Sequence, residues 1–93
     1  MKVDGGLGMG FSPNIAEIAQ EAKSQEDRGY DGIWTAETSH DPFLPLAIAA
    51  EHTEKLEIGT AIAVAFARNP MVLANIGWDL QALSNGRFNL GLG

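Results

Sequence analysis

Strand-like apolar runs alternate with helix-like segments along the whole 93-residue chain, and that alternation leaves few folds open. Four runs read as strands, near residues 2–7, 31–35, 56–65 and 88–92, and three intervening segments read as helices, near 14–28, 43–55 and 70–84. Ser12 or Asn14 caps the first helix, the latter with Glu17 in capping-box spacing, and Ile15, Ile18, Ala19 and Ala22 share one face. Gly29 stops it. Leu46, Ala49, Ala50 and Thr53 form the inner face of the second helix, with His52 on its outer side. Asn69-Pro70 opens the third, Val72, Leu73, Ile76, Leu80 and Leu83 form its stripe, and Ser84-Asn85-Gly86 ends it. The order β-α-β-α-β-α-β predicts an α/β fold with a parallel sheet and right-handed crossovers.

The last strand has no helix after it, and a four-stranded parallel sheet leaves two long unpaired edges. A complete TIM (β/α)8 barrel needs roughly 250 residues. The expectation is therefore that residues 1–93 are the N-terminal half of such a barrel; a small sheet covered by three helices is the alternative. Ile33, Ile58, Ile62, Val64 and Leu90 are the candidates for the inner sheet face that would meet further strands. Self-association into a homo-oligomer is expected of a chain with such a face.

In a parallel sheet, ligands bind at the carboxyl ends of the strands. Directly after the second strand, Ile33-Trp34-Thr35, come Glu37, Thr38, Ser39, His40 and Asp41. The plainer alternative is that Asp41 and Pro42 open the next helix and the rest is solvated loop. Ala61, Ile62 and Ala63 lie in or after the third strand and Gly91 and Gly93 at the end of the fourth, so parallel topology gathers them with Glu37 and Thr38. A carboxylate at Glu37, beside the apolar surface of Ala61 and Ile62, is expected to be desolvated, which raises proton affinity. The alternatives are that Glu37 caps the next helix or pairs with Arg68. Arg68 itself follows the third strand, where it meets either an anionic group or solvent. Arg87 precedes the fourth strand, at the face where residues stabilise rather than react. Trp34 and Trp78 read as packing residues.

The net charge of −6 with scattered basic residues excludes a nucleic-acid surface. There is no cysteine, hence no thiolate metal site, and a cytoplasmic setting is the expectation. No metal site is expected either: Glu37, His40 and Asp41 are too sparse, and His52 sits on another element. No apolar run is long enough to span a membrane. The glycine run from Gly5 to Gly10 misses the dinucleotide fingerprint, because Phe11 stands at the third required position.

Several stretches resemble one family. Gly32-Ile33-Trp34-Thr35-Ala36-Glu37, Gly59-Thr60-Ala61-Ile62, Asn69-Pro70 and the run from Ser84 to Gly93 are similar to the luciferase-like flavin and deazaflavin oxidoreductases. Glu37 to Leu46 and Ala63 to Arg68 resemble the branch that uses 8-hydroxy-5-deazaflavin (coenzyme F-420). The resemblance implies an eight-stranded barrel and hydride transfer to or from a small organic substrate. Reduced-FMN monooxygenation is the alternative, and a non-catalytic half-barrel is a third reading. It implies cofactor contacts at Glu37, Ala61, Ile62, Ala63, Gly91 and Gly93; by position, catalytic roles are expected among Glu37, Thr38 and His40, with Glu37 carrying the proton and His40 its rival. Many relatives carry a histidine where this chain has Thr38; His40 lies two positions later. The family's non-proline cis peptide would fall at Ala61-Ile62. The second half of the barrel supplies much of the phosphate-binding surface, so the 93 residues alone are expected to be inactive.

Overall fold

Four strands form one parallel sheet in chain order: β1 (Asp4–Gly6), β2 (Gly32–Thr35), β3 (Glu57–Thr60) and β4 (Phe88–Asn89). The helices between them are α1 (Ile15–Asp27), α2 (Phe43–His52) and α3 (Pro70–Leu83). This is a computed structural model, which describes residues 2–7, 15–37 and 40–93. The caps read at Ser12 and Asn14 lie outside the described residues. At α3 the expected opening is present, with the Asn69 side chain accepting from Met71 N–H at 2.8 Å and Pro70 in the first turn. Gly29 and Gly86 turn the chain out of α1 and α3 with φ of 87° and 84°, a region that disfavours residues with a Cβ.

The strand order with crossovers of one hand puts all three helices on one face. A single core follows, joining Ile18 and Ala22 of α1, Leu46, Ala49 and Ala50 of α2, and Leu73 and Leu80 of α3 to Ile33, Ile58 and Phe88. Ile33, Ile58 and Phe88 are in register on adjacent strands, so they share a face. This corrects the reading of Ile33 and Ile58 as inner-face residues: both are fully buried under the helices. Leu90 lies beside Trp78 and Leu73 of α3, while Ile62 and Val64 lie beyond the end of β3. The open face instead carries Trp34 and Asn89 in one layer and Asp4 and Glu57 in another. Trp34 lies flat over Gly59: a Cβ there would stand 2.3 Å from Trp34 Cζ3.

Strands β1, β3 and β4 and helix α2 are clearly shorter than their sequence runs. Strand β3 stops at Thr60 and β4 at Asn89, because the peptide groups beyond them turn to loop partners described below. Helix α2 stops at His52, where Thr53 Oγ1 bonds back to Ala49 O at 2.7 Å. Val72 and Leu83 of the α3 stripe are exposed, since only part of that helix is covered. Among the described residues no helix is long and apolar enough to cross a membrane.

One carboxylate anchors the turn into β3. Glu26 Oε2 accepts from the N–H groups of Glu54, Lys55 and Leu56 at 2.9, 2.8 and 3.0 Å. Burial favours its neutral form, but the three N–H groups, with Lys23, outweigh this and hold its pKa below the ordinary 4.5. A folded-state pKa below the unfolded one contributes stability that is complete above the unfolded value and lost as pH falls through the folded value. Glu26→Gln is expected to cost about 1–3 kcal/mol at neutral pH. Urea midpoints measured as the pH is lowered through 4.5 and beyond should fall less steeply in the variant than in the parent.

Candidate functional site

The carboxyl end of the sheet is built by three loops that exchange backbone hydrogen bonds. The Ala61 N–H donates to Thr35 O at 2.6 Å, and the Glu37 N–H donates to Ile62 O at 3.0 Å. The β2 and β3 exits are thereby sewn together. Ala63 N–H donates to Gly91 O at 2.9 Å, Gly93 N–H to Ala63 O at 3.0 Å, and Ala65 N–H to Gly93 O at 3.0 Å, which joins the β3 and β4 exits. Thr60 Oγ1 accepts from Gly91 N–H at 2.9 Å and donates to Gly91 O at 2.8 Å. Glu37, Ala61, Ile62, Ala63, Gly91 and Gly93 are therefore neighbours, as the topology required. The Ala61-Ile62 peptide is cis, at the position the resemblance implied.

These residues differ in access. Ala61 is exposed and Ile62 is 48% exposed, whereas Ala63 is buried with both backbone groups engaged. Ile62 packs over Gly93, where a Cβ would stand 1.8 Å from Ile62 Cδ1. A Cβ at Gly91 would stand 2.2 Å from Thr60 O. Ala61 and Ile62 thus form a low apolar step at the carboxyl end of the sheet, with Gly93 packed against Ile62 and Gly91 against Thr60.

Glu37 is where expectation and structure part. Its carboxylate takes both terminal nitrogens of Arg68, Nη1 on Oε1 and Nη2 on Oε2 at 2.8 Å, and accepts Val64 N–H at 2.6 Å. The Arg68 side-chain bonds foremost, then Val64 N–H, outweigh burial and hold the Glu37 pKa below the ordinary value rather than above it. Arg68 is neither solvated nor open to an anion: its side chain is 14% exposed, and Glu37 raises its already high pKa. The guanidinium also reaches Asp41 Oδ1 at 3.4 Å and lies 5.1 Å from the Phe43 ring centroid. Asp41 opens α2, its Oδ2 accepting from Phe43 and Leu44 N–H at 2.8 and 2.7 Å.

His40 is exposed on the same loop; Thr38 and Ser39 lie outside the described residues. His52 is exposed in the last turn of α2, at the other end of the fold. Among the described residues no three His, Asp or Glu side chains gather to hold a metal. Arg87, at the amino end, is a structural hub, as its position suggested. Sequence reasoning missed the Thr60–Gly91 exchange and the Asp41–Arg68 contact. Both join residues about a whole repeat apart and leave no local signal.

Comparison with known proteins places this arrangement. The chain is 61% identical over its full length to an uncharacterized protein of Mycobacterium tuberculosis, and covers 26% of it. The coenzyme F-420-dependent tetrahydromethanopterin reductase from Methanopyrus kandleri superposes on all of the chain with a TM-score of 0.84, at 26% identity and over 27% of its own length. The oxygenating constituent of 3,6-diketocamphane monooxygenase from Pseudomonas putida, solved with FMN, gives a TM-score of 0.86 at 21% identity, over 29% of its length. The chain thus spans about a quarter of the length of the curated relatives it matches. The profile of the luciferase-like monooxygenase family matches residues 2–93, and the chain belongs to that family.

Proposed function

We propose that this chain carries part of the ring-binding end of an oxidoreductase that uses coenzyme F-420 to transfer hydride to or from a small organic substrate, in the cytoplasm. The observation that carries the reading is the exposed Ala61-Ile62 step beside Gly91 and Gly93. Likeness to an F-420-dependent reductase supports the choice of coenzyme. The coenzyme supplies the hydride chemistry when bound. Ala61 and Ile62 offer apolar contact to the ring. The missing Cβ atoms of Gly91 and Gly93 let Thr60 O and the Ile62 side chain pack directly on the β4 exit, which holds the step in place. His40 is the group assigned to proton exchange at an imidazole nitrogen, because Glu37 is held ionised in its pair with Arg68 and His40 is exposed on the same loop.

A reduced-FMN monooxygenase is the second reading, supported by the match to the luciferase-like monooxygenase family. Absorbance and fluorescence titrations of the protein as its gene encodes it, with F-420 and separately with FMN, test the pair. The result expected is tighter binding of F-420 by at least about tenfold, or 1.4 kcal/mol. The reverse order would favour the monooxygenase, and binding of neither would overturn both. Self-association belongs to the same reading, supported by Phe66 at 93% and Trp78 at 79% exposure. Sedimentation velocity should show a species heavier than one chain; a single monomeric boundary at high concentration would contradict it.

A further inference from the structure

One arginine ties the loop after β3 to the loop after β2. Both terminal nitrogens of Arg68 are engaged by Glu37, and Nη1 also donates to Val64 O at 3.1 Å. Glu37 holds the same stretch from the other side, through Val64 N–H to its carboxylate and through its own N–H to Ile62 O. The Arg68 N–H closes the loop on Ala65 O at 3.2 Å. Every one of these bonds ends on residues 62–65 or on the pair itself, and none ends on the exposed surface of Ala61 or Ile62. The fork of a guanidinium is needed for such a two-oxygen contact with a simultaneous carbonyl bond; an ammonium makes it as a point charge only.

We propose that Arg68 and Glu37 are a positioning pair, which fixes the turn from Ala61 to Val64 so that Ala61 and Ile62 are presented to the ring, without touching the ring themselves. The proposal rests on the reading of that step as the ring site. It assigns Arg68 a role other than anion binding, and Glu37 a role other than proton carrier.

The test uses the protein as its gene encodes it, with Arg68→Lys, Glu37→Gln, and Lys23→Ala as a control on the exposed side of α1. Hydrogen–deuterium exchange of peptides covering 61–68 is read without ligand, and affinities for F-420 and FMN are read by titration. Both site variants should exchange at least about tenfold faster over 61–68 and bind the preferred ring at least about tenfold more weakly. At saturation the absorbance band of the bound ring should be displaced from that in the parent, a change that lost stability alone would not produce. Lys23→Ala should alter none of these. Parent-like ring affinity and spectrum in Arg68→Lys and Glu37→Gln would overturn the proposal, as would unchanged exchange over 61–68. If the parent itself binds neither ring, the ring-site reading fails first and the positioning role falls with it, an outcome the parent titration alone identifies.

Discussion

Arg87→Ala is expected to lower the unfolding free energy by about 3 kcal/mol, although the residue lies at the end of the sheet away from the site. Its guanidinium donates to Ser84 O at 2.6 Å, Leu56 O at 2.7 Å, Thr53 Oγ1 at 2.8 Å, and Ala50 O and Thr53 O at 3.1 Å. Those acceptors are the end of α2, the turn into β3 and the end of α3. Three elements therefore share one donor group, and truncation orphans four carbonyls together. Bonds from a charged donor contribute about 1.5–3 kcal/mol each but do not add, and water can reach some of the freed acceptors. Lysine in the same place cannot span all five acceptors, so Arg87→Lys should recover only a minority of the loss. Urea unfolding checks this, with Arg28→Ala, an exposed residue just after α1, expected to stay within about 0.5 kcal/mol of the parent.

The larger effect on chemistry is expected at His40. His40→Asn should reduce turnover by about 10²–10⁴, the span usual for loss of a general acid or base, and should remove one limb of the pH–rate profile. Glu37→Gln should also reduce turnover, but through weaker ring binding, with both limbs retained at saturating cofactor. The distinction follows from what surrounds Glu37. Glu37 has both oxygens on Arg68 and a third bond from Val64, so protonation would break an ion pair. Single-turnover kinetics across pH separate the two. If Glu37→Gln loses the limb while His40→Asn keeps it, the carboxylate carries the proton and the assignment is reversed.

Element positions were legible where a local chemical signal fixes them. Asn69-Pro70 opens α3 by a cap that any reader of sequence can recognise, and Gly29 and Gly86 stop their helices at positive φ. Strand ends carried no such signal. The run from Leu56 to Ala65 is almost unbroken in apolar character, and nothing in it marks Thr60 as the last ladder residue. The exit is set by Thr35 O, Glu37 and Gly91, all supplied by other repeats. The same continuity hid which way Ile33 and Ile58 point, because a strand apolar on both faces has lost its period-two pattern. Only the register, with Gly59 opposite Trp34, shows that the indole needs a neighbour without a Cβ. At the site, adjacency followed from parallel topology alone. The sign of the Glu37 shift did not, since it depends on Arg68, 31 residues away.

In the proposed reading, the exits of β2, β3 and β4 form one ring-binding surface. Hydrogen–deuterium exchange of the protein as its gene encodes it, with and without saturating F-420 or FMN, tests it most directly. Protection is expected in peptides covering residues 60–65 and 90–93, with a smaller effect at 36–41 and none in the groove between α1 and α2 lined by Ala19, Lys23, Arg28 and His52. Protection in that groove, with unchanged exchange over 60–65 and 90–93, would contradict it.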